Sequence, residues 1–432
     1  MDEEAMMTRS IRFIGCAAAA ALLLIWTPPA PAATVTWSFQ QVDDGGNPEH
    51  DVLAMSIGTG AKWPAVFYKA AHESLVAASL SPAGWLPSCL DSSSYTYWAR
   101  SEAGQDGRVG VAWVSPVNGV RNIQFAQSTS PGWPTSTVAS FSGAVAGLDV
   151  AYLSGNRPVV AFTDDNVNVM KVGVYGAGAW DIESAGPGYA VSVAVDGGDN
   201  IGLAYCSAYS DELYLAMKEP GGGMWDISAP IAECSWPSPA PSLAFNAGDE
   251  PGIAFFTDWR ALDFTSFDVQ SGQWQSGSIA SDVASTRVNL VYNSLGHAAV
   301  AYVGTDQQVH YRINDGGGWA DIILPSGTDP VTGLPITPSP YTPAVLAFDC
   351  NDLPVIAYYR QGYGVVLAYD PVVTPEPASL VLLMAAGVVA LGPRRWNPNH
   401  RTRPDAPPVD AGPRRLKPVA RCSRATGHDH LV

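Results

Sequence analysis

Seven short apolar runs, each ending in an aromatic residue, recur through the middle of the chain. They are Ala65–Tyr68, Gly110–Trp113, Val159–Phe162, Gly202–Tyr205, Gly252–Phe255, Ala299–Tyr302 and Val355–Tyr358. The gaps between the closing aromatics are 45, 49, 43, 50, 47 and 56 residues. In the clearer repeats a second strand-like run lies upstream across a polar turn, as in Ser242–Phe245 before Asn246–Glu250 and Val345–Phe348 before Asp349–Asp352. Downstream comes alternation of period two, as in Val309–Ile313, the mark of a half-buried strand. No central segment carries the 3.6-residue apolar period of a helix.

A turn, usually rich in glycine, and a tryptophan then close the unit. The tryptophans are Trp85, Trp133, Trp180, Trp225, Trp274 and Trp319. Four short strands in about 47 residues is the size of one β-propeller blade. The seventh unit ends near Asp370 without its tryptophan, whereas Trp37 opens an isolated strand-like segment, Thr34–Val42. The pattern therefore predicts an all-β fold, a seven-bladed β-propeller of four-stranded blades spanning 33–370, in which the N-terminal strand completes the last blade. The repeated tryptophans are read as wedges between blades, since large rings at equivalent positions are what packing requires.

Charge sharpens the picture. The chain has 40 acidic and 23 basic residues, a net charge of −17. Residues 33–370 hold 33 acidic and 12 basic residues, so the predicted ring carries −21. Such a surface argues against nucleic acid as a partner, because phosphate neutralisation needs a basic face. It also disfavours direct contact with acidic polysaccharide.

Both ends of the chain read as addresses. Residues 1–32 resemble a secretory signal: Arg9 and Arg12, an apolar stretch Cys16–Trp26, and small residues Ala30 and Ala32 at the cleavage site. At the other end, Pro375-Glu376-Pro377 precedes an apolar run Ala378–Leu391 and then Arg394-Arg395. This tripartite segment, 371–395, resembles the PEP-CTERM sorting signal of exopolysaccharide-producing Gram-negative bacteria. The resemblance implies an exosortase-like membrane protease as partner, a short C-terminal hydrophobic helix that holds the chain in the membrane before processing, and a destination at the outer surface or extracellular matrix. Family members usually end soon after the arginines, whereas this chain continues through a Pro- and Arg-rich tail, 396–432, read as disordered.

The search for catalytic chemistry is mostly negative. Asn314-Asp315-Gly316-Gly317-Gly318-Trp319 resembles a loosened Asp-box of sialidase-like (BNR-type) propellers, where that turn is structural. A sialidase needs three arginines on a carboxylate, and the family's leading Phe/Tyr-Arg-Ile-Pro element is absent; Tyr311-Arg312-Ile313-Asn314 comes nearest but lies late in the ring. The histidines His50, His72, His297 and His310 are scattered without metal-ligand spacing. No catalytic residue and no cofactor is assigned. Acidic turns such as Asp196–Asp199 and Thr163–Asn166 are calcium candidates, against the ordinary role of Asp, Asn and Gly in tight turns. Cys206 and Cys234 fall in one blade and form a candidate disulfide that suits an exported protein.

Propeller geometry brings the turns between second and third strands, and the links between blades, to one mouth of the channel. The ligand-binding candidates there are Asp164, Asp165, Trp236, Asp258, Trp259, Arg260, Arg360 and Tyr363. Tryptophan beside arginine and aspartate suits sugar contact. The expectation is a non-catalytic surface module for carbohydrate or another surface macromolecule. The alternatives are a propeller hydrolase or lyase acting on polysaccharide and a structural matrix protein. A lectin would repeat its polar groups blade by blade, and an enzyme would converge carboxylates with raised pKa values at the channel.

Overall fold

The computed structural model describes residues 37–43, 51–58, 64–70, 74–81, 84–92, 98–129, 132–207, 209–234, 240–285, 287–326, 337–339, 342–360 and 363–370. The signal-like segment, Trp236, the PEP-CTERM-like segment in which a hydrophobic helix is expected, and the basic tail lie outside the described residues.

Seven antiparallel sheets make up the ring. Strand β1 (Ser38–Gln41) precedes blade 1, formed by β2 (Asp51–Ile57), β3 (Pro64–Lys69), β4 (Leu75–Ser81) and β5 (Gly84–Asp91). Blade 2 comprises β6 (Ala99–Ala103), β7 (Val109–Val117), β8 (Val120–Gln127) and β9 (Thr135–Phe141). Blade 3 comprises β10 (Val145–Leu153), β11 (Arg157–Asp164), β12 (Val169–Gly176) and β13 (Ala179–Pro187). In blade 4, β14 (Tyr189–Val195), β15 (Ile201–Cys206) and β16 (Glu212–Lys218) are followed by two short pieces, β17 (Asp226–Ile227) and β18 (Ala232–Glu233). Both pieces pair with β16, and the interruption falls at Ser228-Ala229-Pro230, where proline lacks the N–H a ladder needs.

Blade 5 contains β19 (Ser242–Phe245), β20 (Pro251–Phe256), β21 (Leu262–Asp268) and β22 (Gln273–Ala280). Blade 6 contains β23 (Leu290–Tyr292), β24 (Ala298–Val303), β25 (Val309–Asn314) and β26 (Trp319–Ile323). In blade 7, β27 (Ala344–Phe348), β28 (Pro354–Arg360) and β29 (Gly364–Tyr369) are joined by β1, which pairs with β29 from Ser38↔Tyr369 to Gln41↔Val366.

The core lies between the blades in seven apolar clusters, and Trp85, Trp225, Trp319, Trp37, Trp133, Trp180 and Trp274 pack against them, one of these seven on each. Trp133 meets Phe67 of the preceding blade edge-on at 5.4 Å, Trp180 meets Phe125 at 5.3 Å, and Trp319 meets Phe264 at 5.3 Å. Trp37 meets Tyr311 of blade 6 in the same way at 6.2 Å. The residue before three of these rings is Gly84, Gly132 or Gly318, with φ of 108°, 108° and 119°. Side chains rarely adopt that backbone region, so the Gly-Trp pair is a conformational requirement of the turn.

A second repeated device clasps the same end of the ring. In the turns between first and second strands, Asp196, Asn246, Asn293 and Asp349 each accept two backbone N–H bonds from their own turn through one oxygen. Three residues on, Asp199, Asp249 and Asp352 adopt left-handed φ near 60° and reach back to the preceding blade. Asp199 Oδ1 accepts Ser154 N–H at 2.7 Å, Asp249 Oδ1 accepts Gly197 N–H at 2.7 Å, and Asp352 Oδ1 accepts Ser294 N–H at 2.9 Å. Asn156 does the same for Asp106 N–H at 3.0 Å. Oxygens of Asp196 and Asp199, residues of the turn considered above for calcium, are thus engaged by protein donors. Blade 6 has Gly296 at this position, and a glycine offers no such oxygen.

Candidate functional site

Two regions carry polar chemistry: the central channel and the rim formed by turns between second and third strands.

The channel encloses about 440 Å³ and is lined by the innermost strands of all seven blades. The open edge of an innermost strand presents backbone groups that need partners. Side chains of the neighbouring blade supply them. Asp149 Oδ2 accepts Ser192 Oγ–H at 2.6 Å and Val193 N–H at 3.0 Å, joining blades 3 and 4. Ser192 Oγ accepts Leu243 N–H at 3.1 Å, and Ser242 Oγ accepts Leu290 N–H at 2.8 Å. Asn289 Oδ1 accepts Leu346 N–H at 2.9 Å while its Nδ2 donates to Leu346 O at 2.6 Å. The Ser56 and Ser101 hydroxyls, 2.8 Å apart, link blades 1 and 2.

Arg100 occupies the same place in β6 that Asp149 and Ser192 occupy in β10 and β14, opposite the alanine of the second strand. Burial lowers the Arg100 pKa against the opposing pull of Asp149. Burial likewise raises that of Asp149, opposed by Arg100 and by the bonds from Ser192 and Val193. Glu102, two residues along β6, lines the cavity and is exposed to its interior, with the ring around it. Its carboxyl is pushed up to about 7, mainly by burial. One hydrogen bond to it, from Ala103 N–H at 3.1 Å, works in the other direction.

The rim carries a different pattern. In blade 3 the β11–β12 turn exposes Val167 (57%) beside Asp165; in blade 4 the β15–β16 turn exposes Tyr209 (78%) beside Asp211; in blade 5 the β20–β21 turn exposes Trp259 (65%) beside Asp258. Each turn is tied down. Asp258 Oδ1 accepts Arg260 N–H at 2.6 Å and Ala261 N–H at 2.7 Å, and these bonds hold its carboxyl below the ordinary carboxylate range. Val283 N–H donates to Arg260 O at 3.1 Å. Tyr209 N–H donates to Ser207 Oγ at 3.1 Å, and Asp211 O accepts Cys234 N–H at 2.8 Å. Cys206 and Cys234 form a disulfide with Cα atoms 6.4 Å apart, bracketing the Tyr209 turn. Val167 N–H closes on Asp164 O at 3.2 Å.

The candidates read from sequence separate into groups. Asp258, Trp259 and Arg260 are exposed together at the rim, with Asp165 half-buried two blades away. Asp164 is buried and paired with Lys171 at 3.0 Å, so it braces its own turn. Arg360, only 4% exposed, lies over the Phe39 ring at 5.4 Å and the Tyr358 ring at 5.5 Å, and thereby holds the closing strand. Tyr363 is half-buried, and its carbonyl accepts Gln41 Nε2–H at 2.6 Å. Sequence reasoning missed Tyr209 and Asp211, because Ser207–Ser210 has no charge or glycine to mark it as a tip. It also missed Arg100, Glu102 and Asp149, which look like ordinary strand alternation.

His310 is buried in blade 6, stacked on Tyr302 with ring centres 4.9 Å apart. Its Nε2 lies 3.2 Å from Asp306 and its Nδ1 3.1 Å from Asp321, which also pairs with Arg312 at 2.9 Å. Among the described residues no group of three or more His, Cys, Asp or Glu is placed to hold a metal ion.

No known family model and no curated protein matches the sequence. Among solved structures, the chain is similar in backbone to AofleA from Arthrobotrys oligospora, at 14% identity and a TM-score of 0.48, covering 68% of this chain and 90% of that one. It is similar to the fucose-specific lectin from Aleuria aurantia at 13% identity and a TM-score of 0.49, covering 65% and 97% of the two chains. The SapL1 lectin in complex with alpha methyl fucoside gives 14% identity and a TM-score of 0.48, covering 65% and 98%.

Proposed function

We propose that this chain is a carbohydrate-binding propeller that acts at the rim of blades 3–5. One observation carries the reading: the same tip chemistry, an exposed apolar side chain beside a carboxylate, recurs on three consecutive blades. A tryptophan or tyrosine left mostly in water on a braced turn loses the burial that ordinarily favours it, and a sugar's apolar face restores it. Adjacent polar groups then meet the hydroxyls. Bracing by Asp258 and by the disulfide reduces the ordering cost of binding. The test is retention of the chain on immobilised polysaccharides with Trp259→Ala and Tyr209→Ala. Each should weaken binding about 3- to 10-fold with an unchanged melting temperature. Unchanged retention in the double variant would remove the reading.

The signal-like and PEP-CTERM-like ends support delivery of this module to the outer surface or matrix of a Gram-negative cell by an exosortase-like protease. Replacing Pro375-Glu376-Pro377 with alanines should leave the uncleaved chain in the membrane fraction; normal processing would contradict the assignment.

A second reading, hydrolysis or elimination on polysaccharide, draws on Glu102, whose pKa of about 7 suits a proton donor in the channel with Asp149 nearby. Turnover of a glycan substrate that disappears in Glu102→Gln would favour it over a purely binding role.

A further inference from the structure

We infer that the glycan bound at this rim is amine-bearing: sugar rings rest on Val167, Tyr209 and Trp259 while ammonium groups pair with Asp165, Asp211 and Asp258. The inference rests on the rim reading above and specifies its ligand.

Charge complementarity selects this occupant. The ring carries 33 acidic against 12 basic residues, so a polyuronate or sulfated chain meets net repulsion on approach. At the rim itself the balance is the same. Lys171 is committed to Asp164 at 3.0 Å, which leaves Arg260 as the basic side chain on the three tips, against Asp165, Asp211 and Asp258. A neutral glycan would stack on the apolar tips and offer hydroxyls to the three carboxylates, but it would leave their charge uncompensated. A hexosamine polymer with free amino groups supplies both parts: apolar ring faces for stacking, and cations at regular intervals for the acids. Asp258 keeps one carboxylate oxygen tied to Arg260 and Ala261 N–H groups, and among the described residues none donates a hydrogen bond to its second oxygen in competition with an ammonium. The turn is therefore set in place before the ligand arrives.

The experiment is isothermal titration of the full chain at pH 5.5 with three hexamers: glucosamine, N-acetylglucosamine and galacturonic acid. The expected order places the glucosamine hexamer first, about tenfold tighter than its N-acetylated counterpart, with the advantage shrinking as NaCl rises from 50 to 300 mM. Asp165→Asn/Asp211→Asn/Asp258→Asn should erase the preference by bringing the glucosamine hexamer down to the affinity of its N-acetylated counterpart, since asparagine removes the charge but keeps the acceptor that braces the 258 turn. Asp211→Asn alone, on an exposed tip, should show part of the loss if the triple variant misfolds. Equal binding of the first two hexamers, tighter binding of the galacturonate, or an unchanged preference in the variants overturns the amine assignment and leaves carbohydrate binding standing. Binding of none of a broad glycan panel overturns both.

Discussion

The guanidinium carbon of Arg287 lies 4.1 Å from the centre of the Trp98 ring, although one residue belongs to blade 6 and the other to blade 2. Both stand just before an innermost strand, so the contact spans the channel at the rim end. A cation held over an indole face in a partly dry mouth is worth about 0.5–2 kcal/mol. A double-mutant cycle of Arg287→Ala and Trp98→Phe, read by urea denaturation, should return a coupling energy in that range. Additive single effects would mean that the two side chains merely neighbour each other.

Glu102 should make the ring's stability depend on pH near neutrality. Its carboxyl is raised from 4.5 to about 7, chiefly by burial, with Asp149 adding to the shift. Between these values the folded ring holds a proton that the unfolded chain has released, so stability falls as pH rises through the window and levels off above it. Arg100 and Asp149 face the same cavity, and Tyr152 responds to the charge on Glu102. Glu102→Gln mimics the protonated form at every pH. Its melting temperature should match the parent near pH 4.5 and exceed it increasingly up to pH 8. A constant difference across that range would show that Glu102 titrates normally.

The clasp between blades 3 and 4 separates two physical terms at one residue. Asp199 combines a left-handed φ of 63° with bonds to the N–H and hydroxyl of Ser154. Asp199→Ala forfeits both the bonds and the tolerance of that backbone, a loss of about 1–3 kcal/mol. Asp199→Gly keeps the conformation without the bonds, and Asp199→Asn keeps the conformation and one acceptor. Denaturation midpoints should therefore rank Asn above Gly above Ala. The bonds from Ser154 hold the Asp199 carboxyl below its usual 3.8. Its contribution is present above that pH and is lost as pH falls through the lowered value. Equal midpoints for Gly and Ala would show that backbone strain contributes nothing there.

The blade count was legible because each blade repeats a phrase with a fixed physical job. The apolar run forms the buried second strand, and the Gly-Trp turn needs a backbone that side chains avoid while its ring fills the wedge between blades. The turns with Asp196, Asn246 and Asp349 also repeat, and their common spacing to Asp199, Asp249 and Asp352 could have revealed the clasp from sequence. Composition alone reads them as ordinary polar turns or calcium loops. The channel was not legible. Asp149 acts on Val193, 44 residues away, and nothing local distinguishes that aspartate from a solvated strand residue. Trp259 was legible as an aromatic inside a polar turn, whereas Tyr209 became a partner to it only once blades 4 and 5 were set side by side. Arg360 misled because its place at a strand end suggested exposure, yet two rings enclose it.

The closing strand offers the most direct test of the ring. Strand β1 covers the outer edge of β29, where Val366, Leu367 and Ala368 are buried. Trp37 and Phe39 pack into the cluster between blades 6 and 7, and Arg360 lies over Phe39. Removing Trp37–Val42 uncovers an apolar strand edge and empties one inter-blade wedge, which invites edge-to-edge association. The deletion should yield aggregated material without a cooperative melting transition. Phe39→Ala is the milder probe: its ring is half-buried, so the loss should be about 2 kcal/mol, with the chain still monomeric by light scattering. A deletion variant that stays soluble and melts like the parent would show that blade 7 holds together as three strands.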